Sequence, residues 1–294
     1  MHIPSTMLNG AVCPVTLAVG AAGVAAAGMM ARQSAARPSA ARFAAVSSLI
    51  FALQMLNFPV QDGTSGHLVG AVLAAALLGV PFAVLAMTLV LGVQAFFFGD
   101  GGINAMGANV INMALLGAGG MGLILKRLRA GKVPESAALA WSAWCAVMLG
   151  AAACALELAW AGAVPLGRVW PAMLAVHARI GIGEAALTAA FVAALSAAAR
   201  TWSVSERTRG WSAFGLAVLA VMLSPLASPA PDGLEWVAGQ LSFIHFSGLE
   251  IPALFPDYQV SFMANAALAT ILAGGAGVGL DRKSTRLNSS HVSQ

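Results

Sequence analysis

Residues 66–98 read GHLVGAVLAAALLGVPFAVLAMTLVLGVQAFFF and contain no Asp, Glu, Lys or Arg. Such a run is typical of the interior of a lipid bilayer and not of a water-soluble domain. The whole chain agrees with this stretch, because 59% of its 294 residues are hydrophobic and only 9% are charged. Its mean hydropathy is +0.83. The sequence therefore predicts an all-α, polytopic protein of the lipid bilayer.

Nine apolar runs predict nine membrane-spanning helices. The predicted spans are 11–31, 43–59, 66–79, 80–98, 105–125, 137–162, 171–199, 211–226 and 260–280. A helix needs about 20 residues to cross a hydrocarbon core of about 30 Å, so the third run is too short to cross alone. We expect that run to be tilted, or the preceding loop, 57–64, to re-enter the membrane inside the protein.

Charged residues predict the orientation of these spans. Nine crossings place three basic loops on one side, together with the end at Arg282 and Lys283. The first loop carries Arg32, Arg37 and Arg42, the second carries Lys126, Arg127, Arg129 and Lys132, and the third carries Arg200, Arg207 and Arg209. The positive-inside rule assigns that side to the cytoplasm. The opposite loops carry Asp62, Asp100, Asp232, Glu235, Glu250 and Asp257. The N-terminus is therefore predicted to lie outside the cytoplasmic (inner) membrane.

A change in composition divides the chain. The segment 227–259 contains Pro229, Pro231, Pro252 and Pro256 and the motif PDGLE at 231–235. It predicts the outer loop of a separate two-helix module, with a boundary near Thr208. We predict a membrane core at 1–207 and an accessory module at 208–282. The polar tract 283–294 resembles a translated sequencing-library adapter and is interpreted as a non-native tail.

The first two residues, Met1 and His2, form a candidate metal chelate. The terminal amine, the deprotonated amide nitrogen of His2 and its imidazole are three in-plane donors, a set that suits Ni(II) or Cu(II). No signal peptide is predicted, because no basic segment precedes the first apolar run. His67, predicted on the same outer surface, is the candidate fourth donor. A poorly ordered terminus is the ordinary alternative for His2.

Two further ionisable residues lie inside a predicted span, where such residues are functional candidates. His177 and Glu184 are seven residues apart and share one helix face. His177, near the outer end, is a candidate outer-shell partner of the metal site, and a satisfied interior histidine is the alternative. Glu184 lies deeper, and we expect it to pair with Arg179 or with polar groups such as Asn109 and Asn112. An outer-shell role near the metal is the alternative for Glu184.

Absent motifs narrow the function. The chain has no Gly-rich loop ending in Gly-Lys-Ser/Thr and no HExxH, so neither ATP hydrolysis nor metalloprotease activity is predicted. The formal charge of +4 resides in loops beside membrane spans and does not imply a nucleic-acid partner. Binding is favoured over catalysis. An uncoupled divalent-metal channel, a secondary transporter and a membrane metalloenzyme remain as alternatives, although no dense carboxylate pathway runs through the spans.

Five segments together resemble a known family. They are MHIP at 1–4, QMLNFPV at 54–60 leading to GTSGHL at 63–68, FGDGG at 98–102, GANVINM at 107–113 and HARIGIGE at 177–184. These resemble the nickel/cobalt substrate-binding component of energy-coupling factor transporters. The motif 231–235 resembles the small accessory component of the same transporters, here fused to the core. Two departures are Ser5-Thr6, where the family usually has Asp-Gly, and Arg179, where an apolar residue is usual.

The resemblance implies a site and partners. In that family the terminal amine and the backbone and side-chain nitrogens of the second residue hold the metal with a histidine of the first outer loop. These positions match Met1, His2 and His67. The transported substrate would be Ni²⁺ or Co²⁺, and the form GTSGH is more similar to nickel members. The implied partners are a transmembrane coupling (T) subunit and two ATP-binding-cassette ATPases, which hydrolyse the ATP.

Overall fold

The structure, a computed structural model, describes residues 2–201, 206–243, 253–260, 263 and 265–291. Helices predominate throughout these ranges. Their bounds are α1 Val12–Gln33, α2 Ala40–Gln54, α3 Ala71–Leu78, α4 Val80–Val93, α5 Met106–Asn109, α6 Gly122–Ala130, α7 Glu135–Trp160, α8 Leu166–Thr201, α9 Glu206–Leu223, α10 Gly233–Leu241 and α11 Ala266–His291. Wider π-helical turns continue α4 over Gln94–Phe98 and join α5 to α6 over Val110–Met121. Short 3₁₀ turns lie at Ser224–Leu226 and Pro256–Tyr258.

Several helices have the length and composition of membrane spans. In the described part of the chain these are 12–33, 80–98, 106–130, 135–160 and 166–197, and shorter apolar helices occupy 40–54, 211–226 and 266–280. The prediction of a multi-pass helical membrane protein is confirmed. The count of nine crossings and the outside location of the N-terminus stay predictions.

The region between α2 and α3 differs from the prediction. Strand β1, Asn57–Pro59, pairs antiparallel with β2, Ser65–His67, with Asn57 opposite His67. The segment 57–64 is therefore one strand and the turn of a β-hairpin. A tilted third run and re-entry of this segment into the membrane both stay predictions. The turn closes through left-handed backbone at Asp62 and Gly63, with φ of 58° and 76°. The hairpin places His67 at a strand end instead of inside a helix.

Helix α3 has eight residues and is shorter than the predicted run 66–79, because it begins at residue 71 and not at 66. Gly70 precedes it with φ of +73°, which favours glycine. A Cβ at Gly70 would also lie 2.7 Å from Cδ1 of Ile50. The backbone thus reverses between His67 and α3 at a position that a larger residue would strain. The predicted helix start at Gly66 was wrong because strand pairing takes residues 65–67.

The accessory helices pack on the membrane core. Helices α9 and α11 lie against α2 and α10 lies against α8. The contact between α11 and α2 is close, since a Cβ added at Gly277 would meet the ring of Phe51 at 2.1 Å. At the contact between α10 and α8, Gly233 lies against Ile180 and His177 of α8. The accessory module therefore reaches the loops that surround the predicted metal site.

Candidate metal centre

The start of the chain is buried and anchored. Ile3 is fully buried, and its N–H donates to Oδ1 of Asn109 at 2.8 Å. The amide of Asn109 donates back to the Ile3 carbonyl at 3.1 Å, and the Gly102 N–H donates to the same carbonyl at 2.8 Å. Three hydrogen bonds thus fix the backbone of residue 3. The alternative of a poorly ordered His2 is not what the structure shows, because His2 is only 8% exposed.

The two predicted histidines meet. The rings of His2 and His67 are stacked, with centroids 5.4 Å apart and an interplanar angle of 21°. They come from the first residues of the chain and from the end of the β-hairpin. The structure therefore brings together two of the three predicted ligand residues. Met1, the third, lies outside the described residues.

Both rings of this pair have defined polar neighbours. Nε2 of His2 lies 3.1 Å from Oε1 of Gln94, and Nδ1 lies 3.2 Å from Oδ1 of Asp100. Nδ1 of His67 lies 3.2 Å from the carbonyl oxygen of Leu68. A carbonyl only accepts, so Nδ1 of His67 carries the proton and Nε2 is its lone-pair nitrogen. A neutral imidazole with one lone-pair nitrogen is the form that binds a metal.

Burial keeps these histidines neutral. Removal from water lowers the pKa of His2 below its ordinary value and lowers that of His67 to about 3. Neutral rings are required of metal ligands, whose protons must be released before binding. The two rings are therefore in their neutral, ligand form at neutral pH.

Glu184 supports the backbone that follows His67. Its two carboxylate oxygens accept the N–H groups of Val69 at 2.6 Å and Gly70 at 2.9 Å. The contact holds the reversal between the hairpin and α3, two residues beyond His67. Carboxylates that accept backbone N–H groups make stronger hydrogen bonds than neutral acceptors do.

The partners expected for Glu184 lie elsewhere. Arg179 forms an ion pair with Asp62 at 3.1 Å, between two side chains that are both substantially exposed. Asn109 binds the backbone of Ile3, and Asn112 donates to Glu157 at 2.7 Å. The predicted pairing of Glu184 with Arg179, Asn109 or Asn112 was wrong. The sequence suggested a side-chain partner, whereas the turn at Gly70 exposes two backbone donors that the carboxylate satisfies.

His177 lies beside the site. It is buried, and its Nδ1 is 2.8 Å from the Met173 carbonyl one helical turn earlier. With His67 and Asp232 it lines a cavity of about 10 Å³, which is about the size of one water molecule. The bond within its own helix is what the reading as a satisfied interior histidine expects, and the role of His177 as an outer-shell partner of the metal stays a prediction.

The motif 231–235 lies against the hairpin that carries His67. The N–H of Ser65 donates to the Pro231 carbonyl at 2.8 Å, and its hydroxyl donates to the Ala230 carbonyl at 2.7 Å. Asp232 begins α10 with a capping box, in which its carboxylate accepts the N–H of Glu235 at 2.9 Å. The cap fixes the direction of the motif where it passes the hairpin that carries His67.

Several polar residues of the site were not identified from the sequence. Gln94 is fully buried and donates to Oε1 of Gln54 at 2.7 Å, while Gln54 donates to the Val69 carbonyl at 2.8 Å. Tyr258 also contacts Gln94, at 3.1 Å. A glutamine in an apolar span was the available signal, because buried polar groups need partners.

No group of three or more His, Cys, Asp or Glu side chains in the described ranges is arranged to hold a metal ion. A chelate that draws on backbone nitrogens does not require such a group. The two stacked imidazoles and the anchored backbone at residues 2 and 3 are the elements of the site that the described residues supply.

The chain is similar to known proteins over most of its length. A family model described as "Cobalt uptake substrate-specific transmembrane region" matches residues 2–202, and the "PDGLE domain" model matches residues 208–281. The chain is 34% identical to the "Putative fused nickel transport protein NikMN" of Archaeoglobus fulgidus over 80% of this chain and 81% of the relative. It is 30% identical to the "Fused nickel transport protein NikMN" of Rhodobacter capsulatus over 95% of this chain and 94% of that relative.

A solved structure is similar as well. A crystal structure described as a transition metal transporter superposes with a TM-score of 0.61 at 30% identity, covering 68% of this chain and 94% of that one. The family model alone matches more than half of the chain. The chain therefore belongs to the cobalt-uptake substrate-specific transmembrane family, and it carries a fused PDGLE domain.

Proposed function

We propose that the chain is the substrate-binding membrane subunit of a nickel or cobalt uptake transporter. It captures the divalent ion at the extracytoplasmic face through the Met1 amine, the amide and imidazole nitrogens of His2, and His67. The observation that carries this proposal is the stacked, buried pair of imidazoles at 5.4 Å. The name of the Archaeoglobus fulgidus relative refers to nickel transport and that of the matched family to cobalt uptake, and both support the same substrate class.

The chemistry of the donors supports a planar site. The amide nitrogen and the imidazole of one histidine can bind the same ion only through Nδ1, because that ring nitrogen closes a six-membered chelate ring. His67 would add its lone-pair nitrogen Nε2, since Nδ1 faces the Leu68 carbonyl. Four nitrogen donors in one plane favour Ni(II). Nickel is therefore the preferred substrate in this proposal, and Co(II) is the other.

The distribution of charge supports an outside N-terminus. His2, His67, Asp100 and Asp232 lie around the site. The first two basic loops contribute instead to a separate cavity of about 770 Å³, whose lining includes Arg37, Arg42, Lys126 and Arg129. Basic loops mark the cytoplasmic side, so we infer nine crossings with the metal site on the outer side of the cytoplasmic membrane.

Transport in this proposal needs partners. The chain contains no phosphate-binding loop, so a transmembrane coupling subunit and two ATPases would supply the energy. We expect the isolated subunit to bind nickel and to hydrolyse no ATP. In sealed vesicles, ATP-dependent nickel uptake should require the subunit together with its partners. ATP-independent nickel flux through the subunit alone would contradict this assignment and would favour a channel or secondary transporter.

Glu184 should tune affinity through the His67 loop. We expect Glu184→Gln to lower nickel affinity by about tenfold, because an amide offers one acceptor oxygen to two backbone N–H groups and outer-shell partners contribute about 10–100-fold. Nickel titration of the purified variant measures this effect. Glu135→Gln, whose exposed side chain pairs with Arg129 far from the site, is the matched control. Equal affinity of both variants and the wild type would eliminate this role of Glu184.

A further inference from the structure

Tyr258 connects the accessory module to both neighbours of His2. Its hydroxyl donates to Oδ2 of Asp100, and its oxygen accepts a hydrogen bond from Nε2 of Gln94 at 3.1 Å. Asp100 and Gln94 are the two residues that face the ring nitrogens of His2. Tyr258 lies within the residues that match the PDGLE domain. The fused module thus reaches the metal site by a second route, separate from the motif 231–235.

The hydrogen-bond chain has a defined direction. It starts at the Val69 carbonyl, which can only accept, so the amide nitrogen of Gln54 faces it. Oε1 of Gln54 then accepts from Gln94, whose second N–H donates to the Tyr258 oxygen. Both donors of Gln94 are used, and its carbonyl oxygen faces His2. The oxygen and nitrogen of a side-chain amide have nearly the same shape, and a hydrogen-bond network of this kind determines which of the two points in each direction.

Hydrogen-bond acceptors face both ring nitrogens of His2. The Gln94 carbonyl oxygen faces Nε2 and the Asp100 carboxylate faces Nδ1, so the single proton of a neutral ring can be donated to only one of the two. Nδ1 is the nitrogen that the terminal chelate needs. With the proton on Nε2, the lone pair of Nδ1 faces the Asp100 carboxylate at 3.2 Å, and two acceptors point toward each other. A cation bound at Nδ1 neutralises that arrangement.

The backbone conformation and the packing of Tyr258 also support a role at the site. Tyr258 adopts φ of +57°, a left-handed conformation that is uncommon for residues other than glycine and that is concentrated at functional sites. Its ring stacks on Phe98 with centroids 4.8 Å apart, and the N–H of Phe255 donates to the Phe97 carbonyl at 2.8 Å. The segment is thus anchored by contacts that do not involve the hydroxyl.

We propose that Tyr258 is a positioning residue of the metal site, which holds Asp100 and Gln94 so that His2 presents Nδ1 to the incoming ion. This inference deepens the proposed function and rests on it. In this proposal Tyr258 of the accessory module does not bind the ion itself, but it selects the tautomer of His2, which is a ligand from the core subunit.

The test uses Tyr258→Phe in the full chain, because phenylalanine keeps the stack on Phe98 and removes only the hydroxyl. In the metal-free protein labelled with ¹⁵N-histidine, the wild-type signals of His2, assigned by their loss in His2→Ala, should show the Nε2–H tautomer. Tyr258→Phe should shift these signals toward a mixture of tautomers. Its nickel affinity should fall by about tenfold, the lower end of outer-shell effects.

Phe255→Leu is the control for docking of the segment, since it alters packing on Phe98 and leaves the hydroxyl in place. It should change neither the His2 signals nor the nickel affinity. Unchanged signals and affinity in Tyr258→Phe would overturn the proposal, as would an equal loss in Phe255→Leu. A wild-type chain that binds neither nickel nor cobalt would refute the proposed function, and the metal-free spectra would still decide the role of Tyr258.

Discussion

Adding one residue before Met1 is expected to lower nickel affinity by more than about a hundredfold while the chain stays folded and inserted. The extension converts the primary amine into an amide and moves the new amine away from the chelating position beside His2. Two fused chelate rings are lost. Outer-shell partners alone are worth about 10–100-fold, so the loss of both chelate rings should exceed that range. His2→Ala should cause comparable damage by removing the imidazole.

The measurement is a nickel titration of two proteins that differ only in the position of the added residues. One carries the N-terminal extension and the other carries the same residues at the C-terminus. Both proteins should elute as monodisperse species with the same helix content, so that a difference in affinity does not come from a difference in folding. Equal affinities would refute the amine ligand and favour a site built from side chains alone.

His67→Ala is expected to weaken nickel binding by about a hundredfold without abolishing it. The substitution removes the fourth donor and the stacked partner of His2, but it leaves the amine, amide and imidazole donors of the terminal chelate. A water molecule can complete the plane. The larger effect of N-terminal extension and the smaller effect of Glu184→Gln place this variant between them, as expected for one direct ligand among four.

Titration combined with visible absorption tests the His67 prediction, because exchange of a nitrogen donor changes the ligand-field band of nickel. Gln61→Ala is the control, since Gln61 is exposed in the turn of the same hairpin. Its affinity and spectrum should match the wild type. An unchanged affinity and band in His67→Ala would show that His67 is not a ligand.

Much of the architecture follows from the order of residues. Apolar runs with few charges identify membrane helices by length alone, and the structure places helices at the runs near 12–33, 80–98 and 135–160. His2 was also predictable, because a terminal amine beside a histidine has a chemistry that does not depend on the fold, and His67 followed from its predicted place on the same outer surface. The structure adds that both rings are buried and stacked.

The hairpin could not be predicted from the same information. Its strands have three residues each, and Ser65 also donates hydrogen bonds to the accessory module more than 160 residues away. The buried amides were missed for a related reason. Gln54 and Gln94 stand alone in apolar runs, and only the packed helices bring them to each other, to Val69 and to Tyr258. Long-range partners of this kind leave no local pattern in the sequence.

X-ray absorption at the nickel edge of the metal-loaded chain with a free Met1 tests the terminal chelate most directly. We predict four nitrogen donors in a plane, an edge shape characteristic of square-planar nickel, and scattering from the more distant ring atoms of two imidazoles. The His67→Ala protein should show scattering from one ring. A six-coordinate shell dominated by oxygen, or scattering from a single ring in the wild type, would contradict the proposed site.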